Sequence, residues 1–415
     1  MPILEPVTPQ PKLHAFAGFG IELEYMIVDG RSLAVRPLAD QLLVDDSGAI
    51  VNEIEHGKLA WSNELVGHVI ELKTNGPANS LVTLGDLFHR DVLEITRRLS
   101  ASGARLMPTA MHPLFDPATE TRLWPHGQNE IYSAYDRIFG CRGHGWSNLQ
   151  SMHINLPFYN DEEFRRLHAA IRVVLPLIPA LAAASPIEQG KRSAWMNGRL
   201  RYYRDNQRAV PEISGPVVPE PVGSMDEYHE RILKPMYAAI APHDPDGILA
   251  DDWLNSRAAI ARFERQTIEI RIIDLQECPA ADLAIAEIVV ALVEAFYEER
   301  LATYAEQQAM DTRVLARLLW QAAAHGSSAR LDDAGYARLL GVRPDTVMAG
   351  TWIELLHADL EISITAKRLL EHMIKRGTLA QAIIERLGDT PERAAIEEIY
   401  RELCTCLLEN RLFQP

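Results

Sequence analysis

The sequence is poor in cysteine and has no surplus of positive charge. Its 415 residues include 4 cysteines, at positions 141, 278, 404 and 406. These are too few and too scattered for a disulfide framework. Lysine and arginine number 41 against 57 aspartates and glutamates, which gives a net charge of -16. Because nucleic acids and anionic membranes favour clustered positive charge, neither is expected as a partner.

Long apolar runs are also missing. The most apolar long segment, residues 282–302, is interrupted by Glu287 and Glu294, whereas a membrane span needs about 20 largely apolar residues. The first residues, MPILEPVTPQPKLHAF, have neither the basic leader nor the apolar core of a signal peptide. These features predict a cytoplasmic protein.

Phosphate-binding glycine motifs are absent from the sequence. There is no Walker A pattern, and Gly18-Phe19-Gly20 lacks the following helix of a dinucleotide fingerprint. If the protein binds a nucleotide, metal ions and arginines must therefore hold the phosphates.

The chain changes character along its length. Alternating or β-branched apolar residues predict strands at 18–28, 66–74, 104–110, 148–157 and 265–274. From about residue 280 the pattern is helical, and the proline-rich segment 209–224 predicts a loop that covers part of the protein. Strands followed by helices favour an α+β fold. We expect one catalytic domain over 1–415, with a sheet-rich core at 1–280 and a helical subregion at 281–415.

The first strand carries two acids on one face. In GIELEYMIVD, Glu22 and Glu24 alternate with Ile21, Leu23 and Tyr25, so the two carboxylates point the same way. Taken alone, this pattern is weak and is better explained by a solvated sheet face than by a bound cation.

Three further segments repeat the arrangement. Glu64 precedes the second strand, and Glu71 and Lys73 share one of its faces. The later strands carry Ser151, His153 and Asn155, and Thr267, Glu269 and Arg271, in alternation with apolar residues. Glutamates on a common face are costly without counter-ions, and Mg²⁺ or Mn²⁺ takes oxygen ligands with an occasional imidazole. The set therefore favours a metal site.

The ordered segments GIELEYMIVD, ELKTNGP, QSMHINLPF and TIEIRIID resemble the glutamate–cysteine ligase and carboxylate–amine ligase family over about residues 16–300. The resemblance implies a glutamine-synthetase-like fold, in which a curved antiparallel sheet lines an active-site funnel and helices pack outside it. It also implies ATP-dependent amide-bond formation with two or three Mg²⁺ or Mn²⁺ ions. The expected substrates are a small carboxylic acid, L-glutamate, and an amine. Whether the chain forms a homo-oligomer is left open.

The resemblance also assigns roles to individual residues. The implied metal ligands are Glu22, Glu24, Glu64, Glu71, His153 and Glu269. Arg271 matches an arginine near the transferred phosphate, and Arg257 resembles a second phosphate or carboxylate contact. The implied substrate contacts are Arg199, Arg201, Asn155 and Lys73, of which Lys73 is equally explained as a counter-ion to Glu71.

This set of residues suits phosphoryl transfer from ATP to a carboxylate, followed by attack of the amine on the acyl phosphate. Metal ions would neutralise the repulsion between the two anions, and the planar guanidinium of Arg271 would contact the phosphoryl group at two oxygens. The alternatives are glutamate–cysteine ligase of glutathione synthesis, an inactive binding protein that keeps the fold, and a metallohydrolase. The amine and the general base stay undetermined by the sequence.

Overall fold

The computed structural model describes residues 12–356 and 360–415. The sequence analysis found no signal-peptide pattern in the first residues of the chain, and most of these residues lie outside the described ranges. Within them the strands are β1 Gly20–Asp29, β2 Glu53–His56, β3 Leu59–Asn63, β4 Val69–Thr74, β5 Ala104–Met107, β6 Ser151–Pro157, β7 Ile187–Glu188, β8 Lys191–Arg192, β9 Ala259–Arg262 and β10 Thr267–Asp274.

The α-helices up to residue 240 are α1 Leu84–Leu99, α2 Pro117–Glu120, α3 Asn129–Phe139, α4 His144–Ser147, α5 Asp161–Val174, α6 Ile178–Ala182, α7 Gly198–Asp205, α8 Met225–Tyr228 and α9 Lys234–Ile240. The later ones are α10 Pro279–Tyr297, α11 Tyr304–Ala309, α12 Thr312–His325, α13 Ala334–Leu339, α14 Met348–Leu356, α15 Ile364–Arg376, α16 Leu379–Leu387 and α17 Arg393–Glu409. Single turns of 3-10 helix include Pro211–Ile213 and Asp252–Leu254, and a π-helical turn spans His229–Leu233.

One antiparallel sheet of eight strands organises the molecule. Its order is β2-β3-β4-β1-β6-β10-β9, and β5 pairs with the far end of β1, beyond β6. Residues 20–23 of β1 pair with β6 and residues 26–29 with β5. This long central strand therefore joins both halves of the sheet. The α+β prediction is confirmed, and the structure contains the large antiparallel sheet that the resemblance implied.

The apolar face of the sheet packs on helices. Ile21, Leu23 and Tyr25 of β1 are fully buried in the same core cluster as residues of α1, α5 and α10. The apolar residues of α1 recur at helical spacing, which gives this helix one buried stripe. Asn160 caps α5 by accepting a hydrogen bond from the Glu163 amide, and the first turn of α5 is acidic, as its dipole favours. Packing on one face leaves the acidic face of the sheet free to line a cavity.

Some elements differ from the sequence-based prediction. Strands β2, β3 and β9 were not predicted, because short segments give too little periodicity to be recognised. The strand predicted at 104–110 ends at Met107, and Thr109 takes a positive φ of 78°. None of the helices in the described ranges is both long enough and apolar enough to cross a membrane.

Candidate active site

The strand register brings the acids of the four predicted segments together. Glu22 lies between Lys73 on β4 and His153 on β6, and Glu24 lies opposite Glu71. On the next strand pair, Glu269 lies opposite Asn155. Directly opposite residues on antiparallel strands point to the same face, so the alternation in the sequence becomes one polar surface.

Glu22, His153 and Glu269 form the tightest group. Each offers a ligand atom within 4.8 Å of the other two. His153 Nδ1 lies 2.8 Å from Glu22 Oε2 and 3.8 Å from Glu269 Oε1. Two carboxylates and one imidazole are a donor set that Mg²⁺ or Mn²⁺ accepts. The residues therefore fit the divalent ion that the resemblance implies.

Protons and neighbouring cations balance the charge of this group. Burial lowers the pKa of His153, but the hydrogen bond to Glu22 and the charges of Glu24 and Glu269 outweigh burial and raise it to about 9. Burial raises the pKa of Glu22, but the hydrogen bond and charge of His153, with Arg265 and Lys73 nearby, hold it well below its usual range. Near neutral pH the imidazole is therefore protonated among the acids, and a divalent ion that takes His153 as a ligand would displace that proton.

Glu24, Glu64 and Glu71 continue the acidic surface toward β4. The Oε2 atom of Glu24 accepts hydrogen bonds from the Ser151 amide at 2.7 Å and from its hydroxyl at 2.9 Å. Burial and the nearby carboxylates raise the pKa of Glu71 to about 7, and the same causes raise the pKa of Glu64 well above its usual range. Lys73 lies 3.3 Å from Glu71 and 2.7 Å from Glu53. The structure thus places Lys73 as a counter-ion.

Two arginines contact Glu269. Arg271 Nε lies 2.9 Å from Oε1, and Arg262 Nη1 lies 3.0 Å from Oε2. Arg271 was predicted from the sequence, whereas Arg262 was missed. Recognition of the β9–β10 hairpin would have revealed it, because Arg262 lies opposite Thr267, which shares a face with Glu269.

Asn155 lies within the acidic surface. Its Nδ2 donates to Glu22 Oε1 at 3.0 Å, and its Oδ1 accepts a hydrogen bond from Thr267 at 3.3 Å. In this arrangement Asn155 orients the Glu22 carboxylate.

The other predicted arginines have different surroundings. Arg257 is buried, and its Nε and Nη2 lie 2.6 Å and 2.8 Å from the two oxygens of Glu220. Arg201 is half-buried and pairs with Glu188 at 3.4 Å. Neither lines the cavity beside the acids. Arg199 does line it, but its Nε is bound to the buried Asp274 at 2.7 Å. The sequence could not reveal the partners of Arg257 and Arg199, because Glu220 and Asp274 come from other segments of the chain.

A cavity of about 440 Å³ lies against this surface. Glu24, Glu64, Ser151 and His153 line one side, together with Arg199, Arg262 and Arg271. Residues from α3, α4 and the turn Asp252–Leu254 line another part of it, among them Tyr132, Tyr135, Trp146 and Trp253. The cavity therefore joins a charged floor to an aromatic wall, and its size is in the range of small-molecule sites.

Comparisons with known proteins agree on one family. The family model of glutamate–cysteine ligase family 2 matches residues 18–405. An uncharacterised protein of Archaeoglobus fulgidus is 39% identical over 68% of this chain and 75% of its own length. A Streptomyces avermitilis protein provisionally named glutamate–cysteine ligase 2-1 is 25% identical over 94% of this chain and 91% of its own.

Among solved structures, the Francisella tularensis glutamate–cysteine ligase in complex with AMP superposes with a TM-score of 0.65. It covers 97% of this chain and 90% of its own, at 14% sequence identity. At that identity the match establishes the shared fold.

Proposed function

Because the chain belongs to glutamate–cysteine ligase family 2, and is therefore an ATP-dependent carbon–nitrogen ligase, we propose that it joins the γ-carboxyl group of L-glutamate to an amine. One observation supports the proposal above all others. Glu22, His153 and Glu269 converge within 4.8 Å, and His153 lines a cavity that Arg262 and Arg271 also line. A triphosphate and a carboxylate are both anions and repel one another when they approach. Carboxylates that bind metal ions, together with neighbouring guanidinium groups, offset that repulsion.

The reaction proceeds in two steps. A carboxylate oxygen of glutamate attacks the γ-phosphorus of ATP, which gives an acyl phosphate and ADP. The amine then attacks the acyl carbon, the bond from that carbon to the phosphate oxygen breaks, and phosphate leaves as the amide forms. The ATP is needed because amide formation from a free carboxylate is uphill in water.

The protein's part is positioning and charge compensation. Glu22, His153 and Glu269 would hold a divalent ion, with Glu24 and Glu71 as further carboxylates on the same face. When bound, such an ion neutralises negative charge on phosphate oxygens. Arg271 supplies a planar guanidinium, fixed by Glu269 and by the Asn255 carbonyl that accepts from its Nη1 at 3.2 Å. Ser151 orients the carboxylate of Glu24, and Asn155 orients that of Glu22.

Hydroxylamine provides a direct test, because it traps an acyl phosphate as a hydroxamate whatever the natural amine is. With Mg-ATP and L-glutamate, we expect ADP and γ-glutamyl hydroxamate in equal amounts, identified by mass. A parallel reaction with cysteine tests the glutamate–cysteine ligase activity of the family name. The Glu269→Gln variant is the control and should yield neither product. ADP release without hydroxamate would contradict the proposal, and so would activity with other acids but not glutamate.

A further inference from the structure

Asp252 does not line the cavity, although the residues around it do. It opens the turn Asp252–Leu254, in which Trp253 lines the cavity and Leu254 is fully buried. The side chain of Asp252 is only 13% exposed. A carboxylate is seldom this buried unless polar or cationic groups satisfy its oxygens. Its partners therefore indicate what this residue holds in place.

Both oxygens of Asp252 bind the end of the β9–β10 hairpin. Oδ1 accepts a hydrogen bond from Arg262 Nε at 3.0 Å, and Oδ2 accepts one from the Phe263 amide at 3.0 Å. Arg262 is the last residue of β9, and Phe263 is the first residue of the hairpin turn. One carboxylate thus binds two consecutive residues, one through its side chain and one through its backbone. The turn Asp252–Leu254 and the hairpin are thereby held together.

Arg262 carries this restraint to Glu269. While its Nε is bound to Asp252, its Nη1 donates to Glu269 Oε2 at 3.0 Å. The other oxygen of that carboxylate, Oε1, lies 3.8 Å from His153 Nδ1. The guanidinium group is planar, and a partner on each of two nitrogens fixes its orientation. Arg262 therefore determines which oxygen of Glu269 faces the implied metal ligands.

We propose that Asp252 is a positioning residue of the ligase, which acts through Arg262 on the carboxylate of Glu269. The inference rests on the proposed function, in which Glu269 helps to hold a divalent ion. Without the negative charge of Asp252, Arg262 keeps one carboxylate partner, and its long side chain gains access to other rotamers. The carboxylate of Glu269 then loses its fixed orientation. Loss of a residue that orients a metal ligand typically lowers metal affinity or activity about 10- to 100-fold.

Asp252→Asn in the full-length protein tests the proposal, because asparagine keeps the shape of the side chain but replaces one acceptor oxygen by a donor. We expect the Kd for Mn²⁺, measured by electron paramagnetic resonance without substrates, to rise at least about tenfold. With Mg-ATP, L-glutamate and hydroxylamine, we expect kcat to fall at least about tenfold. The matched control is Asp251→Asn. Asp251 caps the same turn by accepting from the Trp253 amide at 3.4 Å, and among the described residues no ion pair or hydrogen bond joins it to Arg262. This variant should keep both wild-type values.

A double-mutant cycle shows whether Asp252 acts through Arg262. If it does, Arg262→Lys already breaks the link, and adding Asp252→Asn should lower kcat further by less than about twofold. Arg262→Lys alone should also raise the Kd for Mn²⁺, which tests the link even if Asp252→Asn does not fold.

Two results would overturn the inference: a wild-type Kd for Mn²⁺ in either single variant, or effects on kcat that multiply in the double variant. The Mn²⁺ measurement uses no substrate, so it does not depend on the assignment of glutamate. Absence of hydroxamate with the wild-type protein would contradict the proposed function, and the Kd for Mn²⁺ in the variants would then decide the role of Asp252 by itself.

Discussion

Glu269 shows at the scale of one residue how the site combines charge and rigidity. Its carboxylate is 2% exposed and lies within 4 Å of Arg262, Arg271 and His153. A buried carboxylate is tolerated when its charge is paired. The pairing also fixes the two guanidinium groups relative to the metal-ligand set. Mutual restraint of this kind holds reacting groups in place without reorganisation during the reaction.

The first prediction concerns Arg271. We expect Arg271→Lys to lower ligase turnover at least about 100-fold, because a point charge cannot contact Glu269, the Asn255 carbonyl and a phosphoryl group through one planar fork. ADP release with hydroxylamine measures the change. Arg231→Lys, at an exposed pair with Glu227, is the control and should keep wild-type turnover. Equal turnover in both variants would remove Arg271 from the mechanism.

At the scale of elements, the proline-rich segment 209–224 acts as a support for the site. Arg257 binds Glu220, and its Nη1 also donates to the carbonyls of Glu212 and Ile213 at 3.2 Å and 3.4 Å. The guanidinium group is therefore held by partners within the protein. The Ala258 amide donates to the Val217 carbonyl at 2.7 Å. This contact holds Val217 at a positive φ of 72°, a strained value for a β-branched residue. Arg257 also donates to the Asn255 side chain, and the Asn255 carbonyl accepts from Arg271. The segment therefore supports the arginine that we propose contacts the phosphoryl group.

The second prediction tests this support. Glu220→Ala leaves the buried Arg257 without its carboxylate, so we expect the free energy of unfolding to fall by about 3 kcal/mol. Urea unfolding monitored by tryptophan fluorescence measures it. For the exposed pair of Glu227 with Arg231, Glu227→Ala should cost at most about 1 kcal/mol. Equal losses in the two variants would contradict the role given to Glu220.

The third prediction concerns the core of α5. His168 is 2% exposed and packs against Phe164 and Tyr228, and neither ring nitrogen has a hydrogen-bond partner among the described residues. Burial, with the charges of Arg172 and Arg257, lowers the pKa of His168 to about 3. The unfolded chain therefore binds a proton near pH 6.5 that the folded protein does not bind, and stability is lost as the pH falls through this range.

The difference between wild type and His168→Leu isolates this effect. At pH 8 His168 is neutral in both the folded and the unfolded state. The difference in the free energy of unfolding between the two proteins then reports packing alone. Between pH 8 and pH 5 we expect the variant to gain about 2 kcal/mol relative to wild type. Urea unfolding at both pH values measures it. A difference independent of pH would show that His168 has the same pKa in the folded and the unfolded chain, and would contradict the prediction.

At the scale of the whole molecule, the chain has a net charge of -16, and several of its carboxylates lie together on the acidic surface of the sheet. The sheet brings carboxylates from β1, β4 and β10 to one face, where His153, Lys73, Arg262 and Arg271 lie among them as counter-ions. An ion that binds the folded protein and not the unfolded chain adds RT ln(1 + [L]/Kd) to stability. The folded site should therefore be stabilised by a divalent cation.

The fourth prediction follows from this linkage. Manganese at about 100 times its Kd should raise the free energy of unfolding by about 2.7 kcal/mol, seen as a higher melting temperature. Glu22→Gln should lose most of that gain, because it removes one of the converging ligands. Glu94→Gln, at an exposed helix carboxylate paired with Arg97 and Arg98, is the control and should keep it. A gain of equal size in Glu22→Gln would place the ion elsewhere.

The sequence by itself determined the strands that carry the acids, since alternation over 20–29, 151–157 and 267–274 needs no long-range information. It also determined the α+β class and, through four short motifs, the family. The tertiary structure alone decided which charges meet. Arg262 joins Glu269 through a hairpin, Arg257 is committed to Glu220, and the aromatic wall is assembled from α3, α4 and the turn Asp252–Leu254. The reason is physical: local periodicity sets the direction of a side chain, whereas its partner depends on strand register and helix packing between distant segments.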